Sequence, residues 1–261
     1  MIIGDFHIHS TFSDGKLTIP EIIDLYGQHG FGAIAITDHL CEEKAFLGKA
    51  AAYLGKTLTR ATFPLYQEIL KSEAERAWKM YRMLVIPGVE FTQNSIVNHR
   101  SSHILGLGLS EYISADRDIV DIARSIRAQG GLAIAAHPLS PNRMAANPYL
   151  LWDRREELRS EFDAWEITLH QTLLDDVVKS DLPKIASSDF HGMRHFHSWK
   201  TTFDCERTVE SVLESIRLQK LDFTYFKEEQ TLAHPITEEQ FLAYPKTEEL
   251  INWTPSLAFA V

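Results

Sequence analysis

The sequence predicts an α/β fold whose strands close into a seven-stranded barrel. Three observations support this fold. Short apolar runs alternate with amphipathic stretches, which is the pattern of a parallel α/β protein. Seven such runs can be counted, and each carries a metal-binding side chain or a close variant at or near one end. Side chains spread over the whole chain can share one site only if the strand ends converge, as they do at the mouth of a parallel barrel.

The seven predicted strands span 2–8, 33–37, 84–89, 102–105, 132–136, 164–169 and 184–188. The polar side chains associated with them, in chain order, are His7 and His9, Asp38 and His39, Glu90, His103, His137, His170, and Asp189 with His191. Asp14 follows the first strand in a turn. A doubly wound open sheet is the alternative fold, but its ligands would gather at one switch point. Ligands from every strand favour a closed barrel.

Three amphipathic stretches between these strands are predicted to be helices. The first, 19–28, has Thr18 as a capping residue, Pro20 in its first turn and Gly30 beyond its end. The other two are 115–129 and 208–218, in which apolar residues repeat at helical spacing. Helices between the strands are what a barrel of parallel strands requires.

The segment 41–82 is too long for an ordinary connection between two strands. Its second half, 63–82, predicts a helix with one buried face formed by Leu65, Ile69, Leu70, Ala74, Ala77, Trp78 and Tyr81. Because the segment leaves the second strand at its carboxyl end, we expect it over the mouth of the barrel. It is either a lid that selects substrates or a packing element or dimer contact.

Two regions are therefore expected: a catalytic barrel over residues 1–220, which contains the 41–82 insertion, and a tail over 221–261. The tail holds several aromatic residues, which argue against disorder, so we expect it to pack on the barrel. At 261 residues with 44% hydrophobic content, the chain can bury a core of this size.

Composition also restricts location and partners. The two cysteines, Cys41 and Cys205, form no CxxC motif, so a reducing compartment, the cytoplasm, is expected. No signal peptide is expected at the N-terminus, and no apolar run approaches the roughly 18–20 residues that span a membrane. The net charge of −10 disfavours long nucleic acids as partners. A small phosphorylated molecule remains compatible, because bound cations would make the site itself electropositive.

The spacing of His7 and His9 suits metal binding. Residues i and i+2 of a strand project from the same side, so both imidazoles can bind one cation at the strand end. Such a pair alone is more often a core or surface feature. Here it is accompanied by seven further candidates, which are Asp14, His39, Glu90, His103, His137, Asp189 and His191. Nine ligands exceed the need of one ion, so two or three divalent transition metals are expected, with zinc, manganese and iron equally compatible.

The motifs that carry these ligands resemble those of the PHP (polymerase and histidinol phosphatase) superfamily, in the same order and over about residues 1–220. They are His7-Ile8-His9-Ser10, Asp14-Gly15, Thr37-Asp38-His39, Gly88-Val89-Glu90, His103-Ile104-Leu105-Gly106, Ala136-His137-Pro138 and Ser188-Asp189-Phe190-His191. The resemblance implies a distorted (β/α)7 TIM-like barrel. It also implies two or three metals, used in most members to hydrolyse phosphate esters.

Carried over residue by residue, the resemblance implies three metal positions. The first uses His7, His9, Glu90 and Asp189; the second uses Glu90, His103 and His137; the third uses Asp14, His39 and His191. Members of the superfamily have His or Asp at the position of Asp14, and an aspartate there resembles the branch that acts on small molecules. Relatives commonly have Asn near His170, so we expect that residue to contact substrate or to support the ligands.

Such a site suits phosphate esters, because cations neutralise the phosphoryl oxygens and a hydroxide held between two metals can attack the phosphorus in line. Glu90 would bridge the two metals, and His39 or His191 would protonate the leaving group through a water. Asp38 would orient that water or would merely cap the following loop. Arg143 and Arg194 are expected near the phosphate because their forked donors match its oxygens, although either residue could instead be a solvated loop residue.

The function predicted is therefore hydrolysis of a small phosphorylated substrate, such as a sugar phosphate, a nucleotide or a compound like histidinol phosphate. Three alternatives are a metal-dependent amidohydrolase, a nuclease for short oligonucleotides, and a non-enzymatic accessory module of the PHP type. The accessory module is disfavoured because every ligand position is filled. A homo-oligomer is compatible with the sequence.

Overall fold

The computed structural model of the protein describes residues 1–95, 100–139 and 150–227. The strands are β1 (Ile2–Asp5), β2 (Ala33–Ile36), β3 (His39–Cys41), β4 (Leu84–Gln93), β5 (Ser102–Leu107), β6 (Leu132–Ala135), β7 (Ala164–Glu166), β8 (Thr168–Leu169), β9 (Thr172–Leu173), β10 (Lys184–Ile185), β11 (Trp199–Phe203) and β12 (Asp222–Tyr225). The helices are α1 (Ile19–Gln28), α2 (Phe46–Tyr53), α3 (Phe63–Tyr81), α4 (Ile119–Ala128), α5 (Leu150–Asp153), α6 (Arg155–Leu158), α7 (Asp175–Lys179) and α8 (Val209–Arg217).

All seven predicted strands are present and lie side by side in the order β10-β7-β6-β5-β4-β2-β1. The two ends of this row meet beyond the strands, where Ile8 forms a parallel bridge with Phe190. The Phe190 N–H donates to the His7 carbonyl at 3.0 Å, and the His9 N–H donates to the Phe190 carbonyl at 2.8 Å. The predicted barrel class is confirmed, and its closure lies directly beside candidate metal ligands.

The expectation that all seven strands run parallel is wrong for β5. This strand is antiparallel to both β4 and β6, because the connection from Gln93 to Ser102 is shorter than the dozen or more residues that a parallel crossover needs. His103 therefore stands near the amino end of its strand and still reaches the carboxyl ends of the others. The described residues also contain strands that were not predicted: β3 pairs with β4, β11 and β12 extend the sheet beyond β1, and β9 pairs with β8 in a separate hairpin. The predicted strand 164–169 is divided between β7 and β8.

Local sequence explains where the predicted helices begin. Thr18 and Glu21 form a reciprocal capping box at α1, with Pro20 in the first turn. The Asp118 side chain accepts the Val120 N–H, so α4 begins at Ile119, later than the predicted start at 115. Thr208 caps α8 in the same way.

Strand alternation divides the core into two clusters. Alternate residues of the strands, such as Ala33 and Leu105, pack with Val212 and Ile216 of α8. The intervening residues, such as Ile34, pack in a second cluster with apolar residues of α1, α3 and α4. Helices therefore cover the sheet in the way that an α/β barrel requires.

The segment 41–82 contains both α2 and α3, and only α3 belongs to the core. Tyr66 of α3 is fully buried, and its hydroxyl lies 2.9 Å from the Ile36 carbonyl and 3.0 Å from that of Gly88. The prediction that Trp78 is buried is wrong, since it is 37% exposed. The buried face instead comprises Phe63, Tyr66, Leu70, Glu73 and Ala77. In α2 Phe46 is 83% exposed and Tyr53 is 91% exposed, so this helix lies on the outside of the barrel.

The predicted tail begins as part of the sheet, because β12 pairs with β11 and the buried Phe226 donates its N–H to the Ser198 carbonyl at 2.9 Å. Residues 228–261 lie outside the described residues, so packing of the rest of the tail stays a prediction. Within the described ranges, no helix combines the length and apolar character needed to cross a membrane.

Candidate metal centre

All nine predicted metal ligands meet at one end of the barrel. Every one of them has an imidazole nitrogen or carboxylate oxygen within 3.5 Å of another member of the set. The contacts link loops and strands from both ends of the chain, as the predicted convergence of strand ends requires. The assignment of particular ligands to particular ions stays a prediction.

Glu90 stands at the centre of this set and is fully buried. Its Oε1 lies 2.8 Å from His103 Nδ1 and 3.3 Å from His137 Nε2. Its Oε2 faces the other three imidazoles, at 2.7 Å from His39 Nδ1 and 3.5 Å from the Nε2 atoms of His7 and His9. One carboxylate thus divides five histidines between its two oxygens, which is the arrangement expected of a ligand shared by two cations.

Asp189 organises the neighbouring side of the centre. Its Oδ1 lies 3.4 Å from His7 Nε2, 3.3 Å from His9 Nε2 and 3.4 Å from His191 Nδ1. The backbone of Asp189 is left-handed with a φ of 51°, and His137 has a φ of 23°. Such conformations cost non-glycine residues on the order of 1–3 kcal/mol each and persist where the surroundings enforce them. Both residues carry candidate ligand atoms.

Asp14 lies on the more open side, where its Oδ1 is 3.1 Å from His191 Nε2 and 3.5 Å from His39 Nε2. The next residue, Gly15, lets the backbone of this turn approach β1 closely. A Cβ atom at this position would overlap the His9 carbonyl. The Gly15 N–H also donates to the Ser10 carbonyl at 3.0 Å. The turn after β1 therefore brings Asp14 back over the strand that carries His7 and His9.

The charges of the centre favour cations. Burial alone would raise the pKa of Glu90, but the nearby His39, His103 and His7 outweigh it and hold that pKa well below its usual range. Burial acts against the ionised form of Asp189 too, and His7 together with a hydrogen bond from His170 lowers its pKa well below normal. Both carboxylates are therefore anionic at neutral pH, although neither contacts bulk water freely.

The histidines divide into two electrostatic types. Burial, reinforced by the neighbouring His39, lowers the pKa of His9 to about 3, so its ring is neutral and keeps a lone pair for a metal. Burial also opposes the charged form of His191, but the hydrogen bond to Asp14 and the charge of Asp189 raise its pKa to about 9. A cation that binds at Asp14 and His191 must therefore displace a proton.

The donor atoms fit divalent transition metals. His7 Nε2 and His9 Nε2 are buried without a well-directed hydrogen bond, which is costly in a folded protein unless something else satisfies them. Donor atoms within 4.8 Å of one another occur in His7, His9 and Glu90, in Glu90, His103 and His137, and in His9, Asp14, His39 and His191. Mixed imidazole and carboxylate donors suit zinc, manganese or iron.

Glu166 contacts two candidate ligands, and the sequence analysis did not single it out. It is buried at the end of β7, and both of its carboxylate oxygens lie 3.1 Å from His7 Nδ1. Its Oε2 also accepts the His137 N–H at 2.8 Å. A carboxylate behind a ligating imidazole fixes the tautomer and orientation of the ring. The available signal was a glutamate inside a short apolar run, Ala164-Trp165-Glu166, where a charged residue has no simple packing role.

Asp38 does not face the metal ligands with a free oxygen. Its Oδ1 accepts the Ser10 N–H at 2.8 Å and the Ser13 hydroxyl at 2.6 Å, and its Oδ2 accepts the Ser10 hydroxyl at 2.6 Å. The side chain is completely buried, and burial raises its pKa in spite of these hydrogen bonds. These hydrogen bonds hold the Ser10–Ser13 turn after β1 and not the loop that follows Asp38, so the role of Asp38 stays a prediction.

The predicted substrate contacts lie at the rim or outside the described part. His170 Nε2 is 3.2 Å from Asp189 Oδ2, and the His170 ring stacks on that of His195 at 3.8 Å between centroids. Arg194 is exposed, and its Nε lies 2.8 Å from His195 Nε2. Arg143 lies outside the described residues.

A model of the PHP domain family matches residues 5–135, which is half of the chain and includes six of the nine candidate ligands. The chain belongs to the PHP domain family. The remaining three candidates, His137, Asp189 and His191, lie beyond the matched part. They are grouped with the other six because of the contacts described above. The family assignment confirms the resemblance that the motifs indicate.

Individual relatives of this PHP chain are distant. A phosphoribosyl 1,2-cyclic phosphate 1,2-diphosphodiesterase from Eggerthella lenta is 30% identical over 110 residues, which are 42% of this chain and 32% of that protein. The chain thus spans about a third of the length of this curated relative. Among solved structures, a two-domain protein from Bacteroides vulgatus, described as containing a predicted PHP-like metal-dependent phosphoesterase, superposes with a TM-score of 0.64.

That structure shares 18% identity, and the match covers 86% of this PHP chain and 64% of the other. PsfC from Pseudomonas syringae superposes with a TM-score of 0.53 at 13% identity, covering 86% of this chain and 91% of PsfC. At these identities the two structures support the fold alone.

Proposed function

We propose that the protein is a metal-dependent phosphoesterase that hydrolyses a small phosphorylated substrate, such as a sugar phosphate, a nucleotide or a compound like histidinol phosphate. The observation that carries the proposal is the buried Glu90 carboxylate, whose two oxygens face five histidines. Membership of the PHP domain family supports it.

The proposed ligand sets follow the contacts around the two central carboxylates. His7, His9, Glu90 and Asp189 would hold one cation, Glu90, His103 and His137 a second, and Asp14, His39 and His191 a third. When bound, such cations neutralise phosphoryl oxygens and activate water for attack on phosphorus. Glu90 would contribute to the first two sets, because its Oε1 faces His103 and His137 while its Oε2 faces His7 and His9. The same Oε2 also faces His39 of the third set. Glu166 keeps His7 Nε2 turned towards the shared centre.

The roles of the other residues follow from their positions. We assign protonation of the leaving group to a water beside His191 or His39, because both rings lie beside Asp14 on the more open side. Arg194 and His170 at the rim would bind and orient the substrate phosphate. We assign Asp38 to holding the Ser10–Ser13 turn, since its oxygens already accept three hydrogen bonds from that turn.

A small cyclic phosphodiester is the second substrate class to test, since the Eggerthella lenta relative is described as a cyclic phosphate diesterase. Long polynucleotides are disfavoured on electrostatic grounds, because the chain carries a net charge of −10.

The experiment is a hydrolysis panel run with added manganese or zinc. It compares sugar phosphates, mononucleotides, histidinol phosphate, a small cyclic phosphodiester, an aryl phosphate and long DNA. We expect turnover of at least one small phosphate ester and much weaker action on DNA.

Glu90→Gln should abolish nearly all turnover and lose the second metal while the fold survives. The matched control is Glu73→Gln, which alters a buried glutamate of α3 paired with Arg76. This variant should keep both its turnover and its second metal. Wild-type activity in Glu90→Gln, or preferential degradation of long DNA, would refute the proposal.

A further inference from the structure

A buried ion pair lies next to the metal centre but contains none of the candidate ligands. Lys200 of β11 places its Nζ 2.5 Å from Oδ2 of Asp5 in β1, and both side chains are 0% exposed. The ammonium group lies among the rings of Tyr26, Phe31 and Phe196, at 5.8–5.9 Å from their centroids. Two full charges are thus enclosed by largely apolar surroundings.

Stability alone does not account for such a pair. Desolvation of two charges offsets much of their attraction, and well-packed apolar replacements of buried ion pairs are often neutral or stabilising. Lys200 makes one further described hydrogen bond, to the Ser198 hydroxyl at 2.9 Å. The pair fixes the position of the Asp5 carboxylate, and a gain in stability is not by itself sufficient reason for burying two charges there.

The other partners of Asp5 lead directly to a candidate ligand. Asp5 Oδ1 accepts the Ser188 N–H at 2.9 Å, and Oδ2 accepts the Ser188 hydroxyl at 2.6 Å. Tyr26 donates its hydroxyl to the same Oδ2 at 2.9 Å. Ser188 immediately precedes Asp189, the residue that adopts the left-handed φ of 51°. Asp5 therefore holds both hydrogen-bond donors of Ser188, the residue from which Asp189 turns into the centre.

We propose that the Asp5–Lys200 pair is a positioning device for Asp189. Lys200 holds the Asp5 carboxylate, Asp5 clamps Ser188, and this clamp holds Asp189 in its left-handed conformation with Oδ1 between His7, His9 and His191. The two charges act through Ser188 and do not touch the substrate or the metals. This role rests on the proposed metal centre and adds to it two residues, one on β1 and one on β11.

The test measures metal affinity and does not depend on turnover. In Asp5→Asn/Lys200→Met both charges are removed together, so neither remains uncompensated. Titration of metal-free protein with Mn²⁺ against a chromogenic chelator should show about a tenfold weaker affinity for the tightest site, the scale on which residues behind metal ligands act. Thermal unfolding of the metal-free variant should stay close to wild type.

Two further variants keep the test decisive. Ser188→Ala removes the 2.6 Å hydroxyl contact to Asp5 and keeps the backbone N–H contact, so it should fold and bind Mn²⁺ severalfold more weakly. This variant decides the question if the double variant fails to fold. Asp24→Asn/Arg76→Met removes a mostly buried ion pair between α1 and α3 and is the matched control. It should alter unfolding and leave Mn²⁺ affinity unchanged.

The outcomes separate the two proposals. If the wild type binds Mn²⁺ and the folded Asp5→Asn/Lys200→Met and Ser188→Ala variants bind it with the same affinity, the positioning role is overturned and the metal centre stands. If the wild type binds no divalent metal at all, the metal centre and the positioning role fail together.

Discussion

Glu90 and Glu166 show how differently two buried glutamates can act in one site. Glu90 presents both oxygens to five imidazoles, whereas Glu166 lies behind His7 and accepts from a backbone amide as well. The motif spacing predicts the first role because Glu90 ends an apolar run in a recognisable pattern. It does not predict the second, because Glu166 meets its partner His7 across 159 positions of the chain.

Replacing Glu166 should weaken metal binding without removing a proposed ligand. Glu166→Gln keeps the size of the side chain but loses the negative charge behind His7 Nδ1, so the ring is less firmly oriented. We expect metal affinity to fall about 10- to 100-fold, measured by chelator competition. Glu73→Gln again serves as the control. Unchanged affinity in a folded Glu166→Gln protein would show that Glu166 does not orient His7.

The Asp14–His191 pair should make the metal-free protein sensitive to pH. Burial opposes both charges, but mutual hydrogen bonding lowers the pKa of Asp14 to about 2 and raises that of His191 to about 9. The raised His191 pKa gives stability that is complete below about pH 6.5 and is lost as pH rises through 9. The lowered Asp14 pKa gives stability that is present above about pH 4 and is lost as pH falls through 2.

Thermal unfolding of chelator-treated protein between pH 6.5 and 9 measures the His191 contribution. The midpoint should fall across this window in the wild type and fall less in His191→Asn, which lacks the titrating ring. An equally steep decline in the variant would show that another group is responsible.

At the scale of elements, helix caps and apolar periodicity predicted where α1, α4 and α8 lie, because these signals are local. Strand direction does not follow from local sequence, because the reversal of β5 depends on a short connection and on its pairing with β4 and β6. The buried face of α3 was only partly predicted, since the barrel contacts Tyr66 and leaves Trp78 at the surface. Sequence patterns thus predict the seven barrel strands, the helices α1, α3, α4 and α8 and the nine candidate ligands, whereas tertiary pairing decides strand direction and which helix face is buried.

The exposed helix α2 offers a test of the lid hypothesis. Deletion of the whole 44–62 stretch would also remove the buried Leu58, whose N–H donates to the His39 carbonyl at 2.7 Å. Replacing only 46–53 with a short glycine–serine linker spares that contact. We expect larger phosphate esters to be accepted relative to small ones, with metal content unchanged. Unchanged selectivity together with a changed oligomeric state would assign α2 to a subunit contact instead.

At the scale of the whole molecule, the barrel gathers side chains from His7 to His191 into one centre within a chain of net charge −10. The negative surface and the cation-binding mouth have opposite effects on a phosphorylated ligand. Long polyanions meet mainly the surface, whereas a small ester can reach the mouth, where bound cations reverse the local field. This balance is the physical reason to expect a small substrate.

The number of metal ions bound per chain tests the central claim most directly. Protein purified without chelator and supplied with manganese or zinc should contain two or three ions per chain by elemental analysis, since nine candidate ligands converge around Glu90 and Asp189. The same preparation of Glu90→Gln should contain fewer, because the shared ligand is lost. One ion or none in the supplied wild-type protein would contradict the account.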